Sequence, residues 1–144
     1  MTGAGGRRRR RRWENRRGWW GILGWSLAAA GVALAITCAA WLLSVGGEAA
    51  GSALLGGGAV LALSALTGVT TALVWDRARE AALPVSVGLF VLKIAVFALL
   101  LGVLPRPGWV RADAAAIAAL VTILVWQAAE VLVFARTRRG IYAD

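Results

Sequence analysis

SVGLFVLKIAVFALLLGVL, residues Ser86 to Leu104, is a hydrophobic run with one charged residue, Lys93, close to its middle. Its length matches the ~20 helical residues needed to cross a bilayer core. An ammonium at the bilayer centre costs about 3 kcal/mol on insertion scales, so it is expected to face a bundle interior with a partner. The candidate partner is Glu130, the only acid inside any of the four long apolar runs. Ions withdrawn from water must be paired or neutralised. The stretch therefore predicts a buried Lys93–Glu130 ion pair between a third and a fourth membrane helix.

Composition leads to the same class. The chain has 144 residues, of which 60% are hydrophobic, and its mean hydropathy is +0.72. These values, with apolar runs of membrane-spanning length, define a small all-α integral membrane protein of one domain. The net charge is +9. In a soluble protein that would suggest nucleic acid, but here most of the charge lies outside the apolar runs, where it reports topology first. One cysteine, Cys38, excludes an internal disulfide, and no histidine is present. Zinc, haem and histidine acid/base chemistry are thereby set aside, and neither a cofactor nor a metal site is expected.

Four spans are predicted, at about 22–45, 52–75, 85–104 and 114–134, within a membrane domain over 21–135. Residues 1–20 form a polar tail with eight arginines, Arg7, Arg8, Arg9, Arg10, Arg11, Arg12, Arg16 and Arg17. Like charges in such a block repel, so a disordered tail resting on anionic lipid is expected rather than a specific nucleic-acid contact, each Arg contributing about 1 kcal/mol. The apolar run after it exceeds the core of a cleavable secretory signal, so it is read as a retained span.

In the first span, Trp19, Trp20 and Trp25 mark one interface and Trp41 the other. Gly31, Ala35 and Ala39 recur at spacing four and suggest a face that another helix approaches closely. Cys38 reads as a small buried hydrophobe. The second span carries Gly56-Gly57-Gly58, the small-xxx-small pair Ser64 and Gly68, and the hydroxyls of Thr67, Thr70 and Thr71. It reads as a packing face first, and the lining of an ion path is the weaker alternative because no carboxylate sits on this helix. Asp76 to Glu80 reads as a mixed-charge loop, with Pro84 starting the third helix. Pro105 to Trp109 forms the next turn. Residues 136–144 are a short basic tail.

Lysine and arginine number eight in the N-terminal tail, two in the second loop and three in the C-terminal tail, against none in the first loop and two in the third. That asymmetry predicts an antiparallel up-down bundle with both termini in the cytoplasm. Lys93 then lies ~2 Å and Glu130 ~9 Å to the cytoplasmic side of the midplane, an offset that side chains leaning toward their helix N-termini would close. Thr122, Trp126 and Glu130 share one face of span four, and Phe90, Lys93 and Phe97 the matching face of span three. Trp126 is placed to hold Lys93 by a cation–π contact.

This constellation supports three readings: a pin fixing the register of two helices, a contact to another membrane protein, and an ion path. The last is the weakest, since one acid and one base leave little net charge to attract a cation. Self-association is compatible with all three. No catalytic set of nucleophile, base and orienting group can be assembled from the intramembrane residues, so no enzyme is expected.

The segment from Leu89 to Asp144 resembles the ATP synthase protein I family in its actinobacterial form. The residues that carry the resemblance are Lys93 in LFVLKIAVFALLLGVL, Gly108-Trp109, Thr122, Val125-Trp126, Ala129-Glu130, Phe134-Ala135-Arg136 and Ile141 to Asp144. It covers the third and fourth spans, more loosely the second, and the first in type alone; the six-arginine run departs from the pattern. The resemblance implies a multi-pass protein of the bacterial cytoplasmic membrane, non-catalytic, that helps the rotor ring of the F-type ATP synthase insert or assemble. Lys93, Trp126 and Glu130 would be its structural or partner-contacting cluster. A magnesium or calcium uptake role is the alternative, and a membrane scaffold with a lipid-binding basic tail a second one.

Overall fold

The computed structural model describes residues 17–103 and 106–136. Four helices follow one another, α1 (Gly18–Ser44), α2 (Gly47–Arg77), α3 (Arg79–Val103) and α4 (Ala112–Ala135). α1, α2 and α4 are each long and apolar enough to cross a membrane, and in α3 the apolar stretch is Val87–Leu99. The predicted lipid-contacting residues Arg7 to Arg12 and Arg16 lie outside the described residues, as does the tail after Arg136. Arg17 is exposed at the N-cap of α1.

All four helices extend beyond the apolar runs. α2 absorbs Glu48 at its start and Asp76 and Arg77 at its end, reaching 31 residues. The expected mixed-charge loop is therefore reduced to one residue, Ala78, between α2 and α3. Pro84 does not start α3. It lies inside the helix, five residues after Arg79, where it withholds the N–H that would bond the Glu80 carbonyl. Between α1 and α2 the chain reverses at Gly46, whose φ of 121° suits glycine and strains any other residue.

Small residues set the packing. An added Cβ on Gly57 would strike Leu34 of α1 and lie 2.9 Å from the Thr122 hydroxyl of α4, and one on Gly68 would lie 2.6 Å from Leu23 of α1. α1 and α2 are thus antiparallel, while α2 and α4 run parallel, Gly56 lying against Ala115 and Gly68 near Trp126. Without a hydrophobic drive between lipid-immersed helices, such close backbone approach is the main source of association. Gly56, Gly57 and Gly68 of α2 are therefore where α1 and α4 come closest.

α1, α2 and α4 pack mutually, whereas α3 packs on α2 and, among the described residues, reaches neither α1 nor α4 with its backbone. At one end, Trp19 meets Trp75 (5.8 Å between ring centroids) and Phe134 (6.2 Å), and Trp20 Nε1 donates to Asp76 Oδ2 at 3.0 Å. Toward the other end, an apolar cluster of Leu34, Ala49, Ala53, Ala114 and Ala118 is covered by Cys38, Trp41 and Leu61. The α3–α4 connection is fastened there, because the Ser52 hydroxyl accepts the Arg111 backbone N–H at 2.8 Å and donates to the Glu48 carbonyl at 2.7 Å.

Among the described residues, the Gly31, Ala35 and Ala39 row of α1 faces no other helix: Ala35 and Ala39 are exposed, and a Cβ on Gly31 would meet nothing within 4 Å. The buried row is the adjacent one, Ile22, Ser26, Ala30 and Leu34. Both rows repeat at spacing four, so periodicity alone does not choose between them.

Candidate functional site

Lys93 is buried, with 7% of its surface exposed. Its ammonium Nζ donates to the Ser64 hydroxyl on α2. This contact follows from the turn: Ser64 lies 14 residues before Ala78 and Lys93 15 after it, and in an antiparallel pair joined by one residue such equidistant positions face each other. The sequence reading assigned Ser64 to close helix packing and missed it as the lysine's acceptor. Symmetry about a short turn was the signal that identifies it.

The predicted Lys93–Glu130 ion pair is not formed. Oppositely charged side chains do meet on the surface, where Arg111 and Asp113 pair at 2.9 Å. The reason lies in the helix arrangement. The one-residue turn holds α3 beside α2, while the longer connection after α3 lets α4 settle against α1 and the glycine face of α2. Glu130 and Lys93 consequently stand on different walls of an open cleft and feel each other's charge across it.

That cleft has a volume of about 260 Å³. Its floor is α2, with Ser64, Thr67, Gly68 and Thr71; α3 contributes Lys93 and Phe90, and α4 contributes Trp126, Gln127 and Glu130. Two floor hydroxyls are committed to their own helix, Thr67 to the Ser64 carbonyl at 3.0 Å and Thr71 to the Thr67 carbonyl at 2.9 Å. Ser64 accepts from Lys93 instead. Trp126 is buried, and Glu130 lies four residues on along α4. The expected cation–π contact is replaced, since the lysine head turns to α2.

Of the predicted faces, Trp126 and Glu130 border the cleft, while Thr122 is fully buried beside Gly57 and donates to the Ala118 carbonyl at 2.7 Å. On α3 the buried side runs through Leu89, Lys93, Val96 and Phe97, and Phe90 is half exposed at the rim. Thr67, Thr71 and Gln127 complete the polar lining; the sequence offers them as scattered oxygen groups of the spans, without marking them as one site. Among the described residues no three His, Cys, Asp or Glu side chains gather into a metal-binding group.

Fold and site together define a small all-helical chain with three helices long and apolar enough to cross a membrane and a polar, two-charge cleft between α3 and α4. Compared with protein-family models, curated proteins and solved structures, the chain matches none.

Proposed function

We propose that this chain is a non-catalytic accessory protein of the bacterial cytoplasmic membrane that assists assembly of the F-type ATP synthase rotor ring. In this reading all four helices span, both termini lie in the cytoplasm by the lysine and arginine asymmetry, and the arginine tail rests on anionic lipid. The observation that carries the partner-contact role is the open seam: α3 is held to α2 alone among the described residues, leaving a polar cleft beside α4. A buried lysine at that seam gives a partner helix a specific group to recognise. The resemblance of the Leu89–Asp144 segment to ATP synthase protein I supplies the identity of the partner.

The test is a mild-detergent pull-down of the tagged chain, blotted for the rotor-ring subunit. Co-recovery that falls with Lys93→Leu and persists with Lys93→Arg is the expected outcome. Recovery of the chain alone, under conditions that keep the ring intact, overturns the proposal. Divalent-cation uptake is the second reading, drawing on Glu130 and Gln127 in one cleft. It is the weaker one, because the Lys93 ammonium shares that space and opposes a dication.

A further inference from the structure

The described residues that line the cleft lie in one half of the bundle. Its lining spans 64–71 on α2, 87–93 on α3 and 126–130 on α4, so three helices agree on where it stops. Taking Trp75 and Phe134 as the near end, Thr71 and Glu130 lie about 6 Å below it and Ser64 about 16 Å, at 1.5 Å per residue. The cleft thus begins one turn inside the aromatic layer and ends close to the middle of a ~30 Å hydrocarbon core. Beyond it, Gly56 and Gly57 are pressed against α4 and α1, and the apolar cluster around Leu34 and Ala118 fills the space between α1, α2 and α4.

We propose that the cleft is a water-filled half-channel, entered from the end where α1 begins and α4 ends, and closed beyond Lys93. Six of the eleven described residues that line it, Ser64, Thr67, Thr71, Lys93, Gln127 and Glu130, are polar or charged, which favours water over an acyl chain. A bound water needs about 10–15 Å³ of accessible volume and two to four polar partners. At about 260 Å³ the cleft offers that many times over. The chemistry of Lys93 requires it as well: an ammonium has three N–H donors, and Ser64 takes one. Glu130 stands beyond direct ion-pair distance, and polar groups separated in this way are bridged by water. Water at Lys93 lowers the cost of its mid-span charge, and the closed far end leaves no route for an ion to cross.

The half-channel is a property of the free chain and stands whether or not that chain acts on the rotor ring. Its test uses the full chain in sealed vesicles of defined orientation, with Cys38→Ala as background and single substitutions Thr71→Cys and Thr67→Cys on the cleft floor. Leu66→Cys, on the exposed side of α2, is the lipid-facing control. Only the thiolate, which needs water to form, attacks a membrane-impermeant methanethiosulfonate, forming a disulfide and releasing methanesulfinate, so the cleft positions should react about tenfold or more faster than the control. They should do so only from the side bearing the chain termini. Reaction no faster than at Leu66→Cys, or equally fast from both sides, overturns the proposal.

Hydroxyl-radical footprinting of the unsubstituted chain gives an independent reading that no variant can compromise. Trp126, buried behind the cleft, is then oxidised while lipid-facing Leu124 is not. An unmodified Trp126 beside a readily labelled Trp109 would overturn the proposal.

Discussion

Gly56→Ala is the most direct probe of how the bundle is held together. The new Cβ would fall on the Ala115 carbonyl oxygen, 2.7 Å from the carbonyl carbon and 2.8 Å from Cα. All three are backbone atoms, so no side chain can swing aside, and α2 and α4 must move apart by roughly 1 Å to restore ordinary carbon contacts of 3.5–4.0 Å. A gap of that size forfeits about a quarter to a half of the dispersion energy of each contact it opens. Gly58→Ala provides the matched control, since its Cβ meets nothing within 4 Å. Both substitutions gain the same helix propensity, about 1 kcal/mol, so their difference isolates the clash. Overpacking of this kind costs about 1–3 kcal/mol, and Gly56→Ala should be less stable than Gly58→Ala by that amount. Equilibrium unfolding in mixed micelles, followed by circular dichroism as the SDS fraction rises, measures it. Equal stabilities for the two variants would refute the close α2–α4 approach.

Two further substitutions probe the polar contacts. Ser64→Ala removes the acceptor of a buried ammonium and should destabilise the protein by about 1–3 kcal/mol in the same assay, a loss that an unchanged midpoint would contradict. Ser52→Ala frees the Arg111 N–H and loosens the α3–α4 connection by about 1 kcal/mol. Limited trypsinolysis in that connection should then speed up roughly fivefold, because cleavage tracks the open population, and an unaltered rate would count against the fastening.

Existence and type of the helices were legible because bilayer-length apolar runs allow few alternatives. Their ends were not, for a physical reason. Backbone hydrogen bonding continues past the apolar stretch into Asp76, Arg77, Arg79 and Glu80, and only Ala78 breaks it. That single-residue break was also what hid the partner of Lys93. Opposite charge and compatible depth pointed to Glu130, but depth is one coordinate of three. Which helix lies beside which is set by connection length and by small residues that admit a neighbour, and Gly56, Gly57 and Gly68 drew α4 and α1 onto α2. The Gly31, Ala35 and Ala39 row shows the same limit from the other side, since small residues at the right spacing permit close packing without requiring it.

The separation of Lys93 from Glu130 changes what the two residues can do. A closed ion pair saturates its own hydrogen bonds and resists exchange, because breaking it strands two charges in a low-dielectric interior. Here the lysine is anchored by a neutral hydroxyl and no ion pair among the described residues closes on the carboxylate, so each keeps hydrogen-bonding capacity toward the cleft. Such capacity has to be met from outside the chain, by water in the free protein or by a polar group of a docking helix. The two occupants exclude each other in so small a volume. A partner that enters the seam must therefore displace water from Lys93, and it gains only if it offers an acceptor in return. An entirely apolar helix would be rejected at this position, which gives the seam selectivity even though most of the helix surface around it is apolar.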